Sequence, residues 1–147
     1  MTAATEKAGA EAQIRALIDD WADAIRNKDV ARVMAHYAPD SVTFDLAPPL
    51  ISAGASADGR EAWFATWRGP LGYEIRDLHV TAGDDVAFCR SLNRLSGTSQ
   101  DGETSDIWFR RTVCLSRSEG AWKVVHEHES VPFYMDGSYR AAVDLTP

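Results

Sequence analysis

Four long strand-like segments follow one another in the second half of the chain: Tyr73 to Thr81, Val86 to Ser96, Ser105 to Arg117 and Ala121 to Val131. The breaks between them, Ala82-Gly-Asp-Asp85, Gln100-Asp-Gly-Glu103 and Ser118-Glu-Gly120, are built from residues that turns favour. A run of strands joined by turns predicts an antiparallel sheet. What precedes it must cover one face of that sheet.

The first half supplies that cover. Between residues 11 and 27, Ile14, Leu17, Ile18, Trp21, Ala24 and Ile25 recur at spacings of three and four, with Asp19, Asp20, Asp23, Arg26 and Lys28 on the other side. Asn27-Lys28-Asp29 interrupts the pattern, and Asp29 can cap a second helix carrying Val30, Val33, Met34 and Tyr37 up to Pro39. Ser41 to Leu46 alternates as a short strand, Pro48-Pro49 and Ser52 to Gly59 read as loop, and a third helix is predicted from about Gly59 to Arg68. Helices followed by strands define an α+β class with helices on one face of an antiparallel sheet. The 147 residues contain no internal repeat and no linker, so residues 1–147 are expected to form one domain.

Composition excludes several classes of function. A net charge of −7 with fifteen scattered basic residues disfavours nucleic-acid binding, which needs clustered Lys and Arg. No apolar run is long enough to span a bilayer, and the N-terminal stretch has no secretory pattern, so the expectation is no membrane and a cytoplasmic location. Cys89 and Cys114 sit in apolar segments without metal-ligand spacing and read as buried thiols. There is no GxSxG, HExxH, P-loop or GxGxxG pattern, which leaves triad hydrolysis, zinc proteolysis and nucleotide-driven chemistry unsupported.

The order of elements, the segment WADAIRNKDVARVMAHYAPDSVTFD and the ending GAWKVVHEHESVPF resemble the nuclear transport factor 2-like superfamily, in its SnoaL-like and ketosteroid isomerase-homologue branch. The resemblance implies a cone-shaped domain in which about three N-terminal helices pack on a curved, mostly antiparallel sheet around a pocket. It also implies a homodimer through the convex sheet. The superfamily hosts isomerases, cyclases, dehydratases and binding modules, so the fold does not by itself select an activity. In ketosteroid isomerases a catalytic Asp base ends the strand after the helix hairpin, and that position falls on Asp45. The two oxyanion donors of those enzymes fall on Trp21 and near Thr112, where neither a phenol nor a carboxyl group stands. Asp45 could equally fix its own turn through backbone N–H groups.

Within WKVVHEHESV, strict alternation puts Trp122, Val124, His126 and His128 on one face and Lys123, Val125, Glu127 and Glu129 on the other. On that pattern the histidines face the pocket as acid-base candidates beside Asp45, and the glutamates face out. The alternatives are a purely structural pair, or two ligands of a metal completed by Asp106, His79 or Asp45. On the preceding strand Asp106, Trp108, Arg110 and Thr112 share one face and Ile107, Phe109, Arg111 and Val113 the other. A one-residue slip exchanges them. The aromatic-x-Arg-x-Thr likeness favours Arg110 inward, partnered by Asp106, Asp45 or a substrate carboxylate or enolate; an outer-face arginine is the alternative. Trp21, Tyr37, Trp63, Trp108 and Arg110 are thus the substrate-binding candidates. The expected activity is cofactor-independent isomerase-, cyclase- or dehydratase-type acid-base chemistry on a small apolar carbonyl compound, with a non-catalytic ligand-binding or dimerisation domain as the alternative.

Overall fold

The computed structural model describes residues 2–147. Helix α1 spans Ala3–Arg26, α2 Val30–Ala35 and α3 Ala57–Ala65; the strands are β1 Tyr37–Phe44, β2 Ser52–Ala53, β3 Trp67–Ala82, β4 Val86–Ser99, β5 Thr104–Ser118 and β6 Ala121–Ser130. They form one six-stranded sheet in the order β2-β1-β6-β5-β4-β3, antiparallel except where β1 runs parallel to β6. This is the helices-on-a-sheet α+β architecture expected from the order of elements, with the helices covering a single concave face.

Helix α1 begins about two turns before its apolar stripe, capped by the Thr2 hydroxyl accepting from the Thr5 amide. Residues 3–10 carry no strong apolar stripe, but their alanines have the highest intrinsic helix propensity, so the helix extends into solvent. Asp29 caps α2 as expected, accepting from the Arg32 N–H. That helix ends at Ala35 rather than running to Pro39, and Tyr37 already belongs to β1. Pro39 is tolerated in the strand because β2 pairs only with Val42 and Thr43, which leaves the earlier edge of β1 without a strand partner.

Ile14, Ile18, Trp21 and Ile25 of α1 are buried together with Leu71, Tyr73, Phe109, Val113, Leu115, Trp122 and Val124 of the sheet. Polar clamps fix the helix in place: Arg26 donates to the Tyr73 carbonyl at 2.8 Å and Arg15 to the Leu78 carbonyl at 3.2 Å. Asp20 joins α1 to α2, accepting from Arg32 at 2.6 Å and contacting the His36 ring at 2.7 Å. The hydrogen bond from Arg32, seconded by His36, holds the Asp20 carboxyl below its ordinary range.

Two departures from regular pairing decide which side chains face the helices. In β3 the register shifts between Arg76 and His79, with Asp77 at φ 55°, so the buried face passes from Leu71 and Tyr73 to Leu78, Val80 and Ala82. In β6 the shift falls between the Leu115–Val124 and Cys114–His126 pairs, leaving Val125 unpaired as a bulge. The β5–β6 turn itself is tight: Glu119 and Gly120 have φ of 53° and 79°, and Ser118 pairs with Ala121. Positive φ at both central residues suits the twist of a two-residue hairpin. Trp122 and Val124 therefore face inward as the alternation predicts, but beyond Val125 the parity inverts.

Candidate functional site

The inversion at Val125 exchanges the residues that meet the cavity. Glu127 and Glu129 line it, whereas His126 and His128 stand on the outer face. The expectation that the histidines line the pocket is thus corrected, and the physical reason is the bulge. The His126 ring nitrogen Nδ1 lies 2.7 Å from the Val42 carbonyl, and the edge-to-face contacts of Phe44 with His126 and His128 have centroid separations of 4.7 and 5.3 Å. These contacts tie β6 to β1. Among the described residues no set of three His, Cys, Asp or Glu side chains is grouped to hold a metal, so the His-x-His pair gains no third ligand from Asp106, His79 or Asp45.

The Arg110 assignment is corrected in the same way. Arg110 and Thr112 do share the histidines' face, but that face is the outer one, where the Arg110 Nε donates to the Ser130 hydroxyl at 3.2 Å. Trp108 also lies outside, 5.9 Å from the guanidinium of Arg94, and Asp106 is occupied by a two-pronged bond from Arg94 at 2.7 and 2.6 Å. The arginine beneath the helices is Arg111, 2% exposed. Trp21, Tyr37, Trp63 and Asp45 do line the cavity. Asp45 sits exposed at its mouth, with Oδ1 accepting from the Leu46 N–H at 2.7 Å, so it also holds its own turn.

The cavity has a volume of about 360 Å³. Its wall is mainly apolar and aromatic: Trp21, Ile25, Met34, Trp63, Leu95 and Phe109, with Tyr37 and Tyr73 supplying hydroxyls. Helix α1 contributes Trp21 and Ile25, β1 contributes Tyr37, Ser41 and Thr43, and α3 with the loop before it forms the rim.

A connected polar network lies against this wall. The Trp21 indole N–H donates to the Tyr37 hydroxyl at 3.0 Å, and that hydroxyl donates to Glu127 Oε2 at 2.8 Å. Arg111 Nη2 donates to the same oxygen at 2.6 Å, and its guanidinium carbon lies 3.7 Å from the centroid of the Trp21 ring. Glu129 is the second carboxyl group near Arg111, with Oε1 3.5 Å from Nε, yet that nitrogen makes no hydrogen bond. One arginine thus serves two carboxyl groups unequally.

That inequality separates their proton affinities. Burial alone would raise Glu127, but the charge and hydrogen bond of Arg111, together with the Tyr37 hydroxyl, outweigh it and keep the group below its ordinary value. Glu129 lacks those hydrogen bonds; burial first, and then the charge of Glu127, push it up to about 8. Glu129 is accordingly largely protonated at neutral pH beside an ionised Glu127. Burial raises Tyr37 and Tyr73 as well, so both phenols stay protonated. Tyr73 accepts from Asn93 Nδ2 at 2.6 Å, which leaves its own hydroxyl hydrogen free to donate.

Arg111, Glu127, Glu129 and Tyr73 were not among the residues singled out by sequence. Two signals pointed to them. The doublet Val124-Val125 breaks strict alternation at the bulge, and Ile107, Phe109, Val113 and Leu115 make the Arg111 face of β5 the apolar one.

The comparisons agree with this architecture. A family model described as a SnoaL-like domain matches residues 14–134. A nuclear transport factor 2-like protein of unknown function from Pseudomonas putida is 37% identical, with a TM-score of 0.86 over 95% of this chain and 98% of the other. A ketosteroid isomerase-like protein from Erwinia carotovora atroseptica is 25% identical, with a TM-score of 0.66 over 82% and 94%. The association domain of C. elegans CaMKII shares the fold at 19% identity, with a TM-score of 0.67 over 86% and 98%. No curated protein matches the sequence. With its helices, its curved sheet and a family match across most of its length, the chain belongs to the SnoaL-like domain family of the nuclear transport factor 2-like superfamily.

Proposed function

We propose that the cavity binds a small, largely apolar carbonyl compound and performs acid-base chemistry of the isomerase, cyclase or dehydratase type. The observation that carries this is Glu129, a carboxyl group facing an aromatic cavity with its pKa raised to about 8 beside an ionised Glu127. Adjacent titrating groups with separated proton affinities are how one site holds both an acid and a fixed charge. In this arrangement Glu129 gives a proton to, or takes one from, the ligand near neutral pH. The Tyr73 hydroxyl donates to the carbonyl oxygen. Burial first, and then the negative charge of Glu127 held by Arg111 and Tyr37, keep Glu129 protonated, and Asp45 at the mouth is the candidate carboxylate base. The volume of about 360 Å³ lies near the small end of ligand pockets, which run from roughly 300 to 1,000 Å³, and suits a compound of one or two rings.

Exchange of α-hydrogens with deuterated water tests this without a known substrate. A panel of one- and two-ring ketones is followed by NMR with and without protein. The expected result is protein-dependent exchange that falls at least about 100-fold in Glu129→Gln, the scale of general acid-base contributions. The His126→Ala/His128→Ala variant should keep it. Undiminished exchange in Glu129→Gln would overturn the assignment.

A second function, association through the outer sheet face, is favoured by Phe88 and Val86, which are 52% and 62% exposed on that face. The likeness to an association domain supports it further. Light scattering should then show twice the 16.1 kDa chain mass, and Phe88→Glu should shift the population to monomer.

A further inference from the structure

Arg60 stands apart from the other charged groups around the cavity. It lies on α3, is partly buried and lines the rim, with its guanidinium carbon 5.4 Å from the centroid of the Trp63 ring. Trp63 is itself held edge-on by Trp67 at 6.1 Å, so the cation rests on a supported platform. Most of the other arginines facing the fold have oxygen partners: Arg26 and Arg15 bind carbonyls, Arg32 binds Asp20 and Asp23, Arg94 binds Asp106, and Arg111 binds Glu127. The Arg60 guanidinium makes no hydrogen bond or ion pair among the described residues. Its charge nevertheless reaches the cavity interior, where it weakly opposes the rise that burial gives Tyr37 and Glu129 and adds a little to the lowering of Glu127 by Arg111.

The neighbouring acids do not answer it. Asp58 and Glu61 are two and one residues away on the same helix, spacings that do not face one another. Asp45 shares the rim but is outside ion-pair distance and is bonded to Leu46. Deeper in, Glu127 is compensated by Arg111. A guanidinium with free donors at the entrance of an aromatic cavity is suited to hold a carboxylate in two-pronged fashion.

We propose that Arg60 is the specificity-determining residue of the cavity and that the compound it takes is a small aromatic or alicyclic carboxylic acid. The ring enters among Trp21, Trp63 and Phe109, and the carboxylate stays at the rim on Arg60. This deepens the acid-base reading and rests on it only in treating the cavity as a small-molecule site. The bound acid would place its carboxylate outermost and its ring toward Tyr73 and Glu129.

The test compares cinnamate with cinnamamide, probes of nearly equal shape that differ in charge, by NMR titration into the millimolar range at pH 7. Wild type is expected to bind cinnamate about tenfold more tightly, the scale of a hydrogen-bonded charge pair. Arg60→Gln should abolish that preference, with a much larger loss for cinnamate than for cinnamamide and an unchanged melting temperature, and Arg60→Lys should restore part of it. Equal affinity for the two probes in wild type, or a preference that survives Arg60→Gln, overturns the role of Arg60 and leaves the cavity as a binding site. Binding of neither probe overturns both. Anion preference with no loss of deuterium exchange in Glu129→Gln separates the outcomes in the other direction, since Arg60 then stands and Glu129 does not.

Discussion

Replacing Glu129 by Gln should change how stability depends on pH, and the sign follows from proton linkage. The folded protein holds the Glu129 proton up to about 8, whereas the unfolded chain releases it near the ordinary 4.5. Between those values the native state binds more protons than the unfolded state, so stability contributed at this position is fully present below pH 4.5 and is lost as pH rises toward 8. At about 1.36 kcal/mol for each pH unit, full transfer would amount to roughly 5 kcal/mol. The side chain retains 15% exposure, so water reaching it reduces that to a few kcal/mol. Gln has nearly the same shape and does not titrate. Urea unfolding of wild type and Glu129→Gln at pH 5, 7 and 8.5 should therefore give similar stabilities at pH 5 and an advantage for the variant that widens to a few kcal/mol at pH 8.5. Taking the difference between the two proteins removes the contribution of the other titrating groups. Parallel stability curves would refute the claim that Glu129 is held protonated by the fold.

Three further outcomes follow from the same network. Arg111→Met leaves Glu127 buried without its cation and should destabilise the protein by about 3–5 kcal/mol in urea unfolding, while Arg111→Met/Glu127→Gln should recover part of that loss. Because Glu127 titrates below its ordinary 4.5, the stability it contributes is present above that value and disappears as pH falls through its folded pKa; the double variant should lose this acid-side dependence. Tyr37→Phe removes both the donor to Glu127 and the acceptor for the Trp21 indole, and thermal unfolding should register about 1–3 kcal/mol. His126→Ala removes the bond to the Val42 carbonyl and the contact with Phe44, which should lower stability by about 1 kcal/mol while ligand affinity in NMR titrations stays unchanged.

The class of fold was legible in the chain because its signals are local. Apolar spacing marked α1, Asp29 marked the start of α2, and turn residues separated β3 from β4, β4 from β5 and β5 from β6. Covering the sheet with the preceding helices gave the α+β class, the resemblance to the nuclear transport factor 2-like superfamily implied a pocket, and Trp21, Tyr37, Trp63 and Asp45 were found around it. The polar heart of the site was not reached by the same reasoning. Period-two alternation carries face information only while the ladder is regular, and one unpaired residue at Val125 reverses every assignment beyond it.

The sequence alone therefore determined the main helices and long strands, their order and most of the apolar faces that drive them together, but not β2 or the boundary between α2 and β1. Tertiary structure decided which charges are buried. The hairpin register sends Arg111 inward, the bulge brings Glu127 to it, and Glu129 is left in the same low-polarity space with too few donors to stay ionised. The proton affinity of a carboxyl group depends on burial and on charges brought close from other strands, and neither is a property of the residue or of its neighbours in sequence.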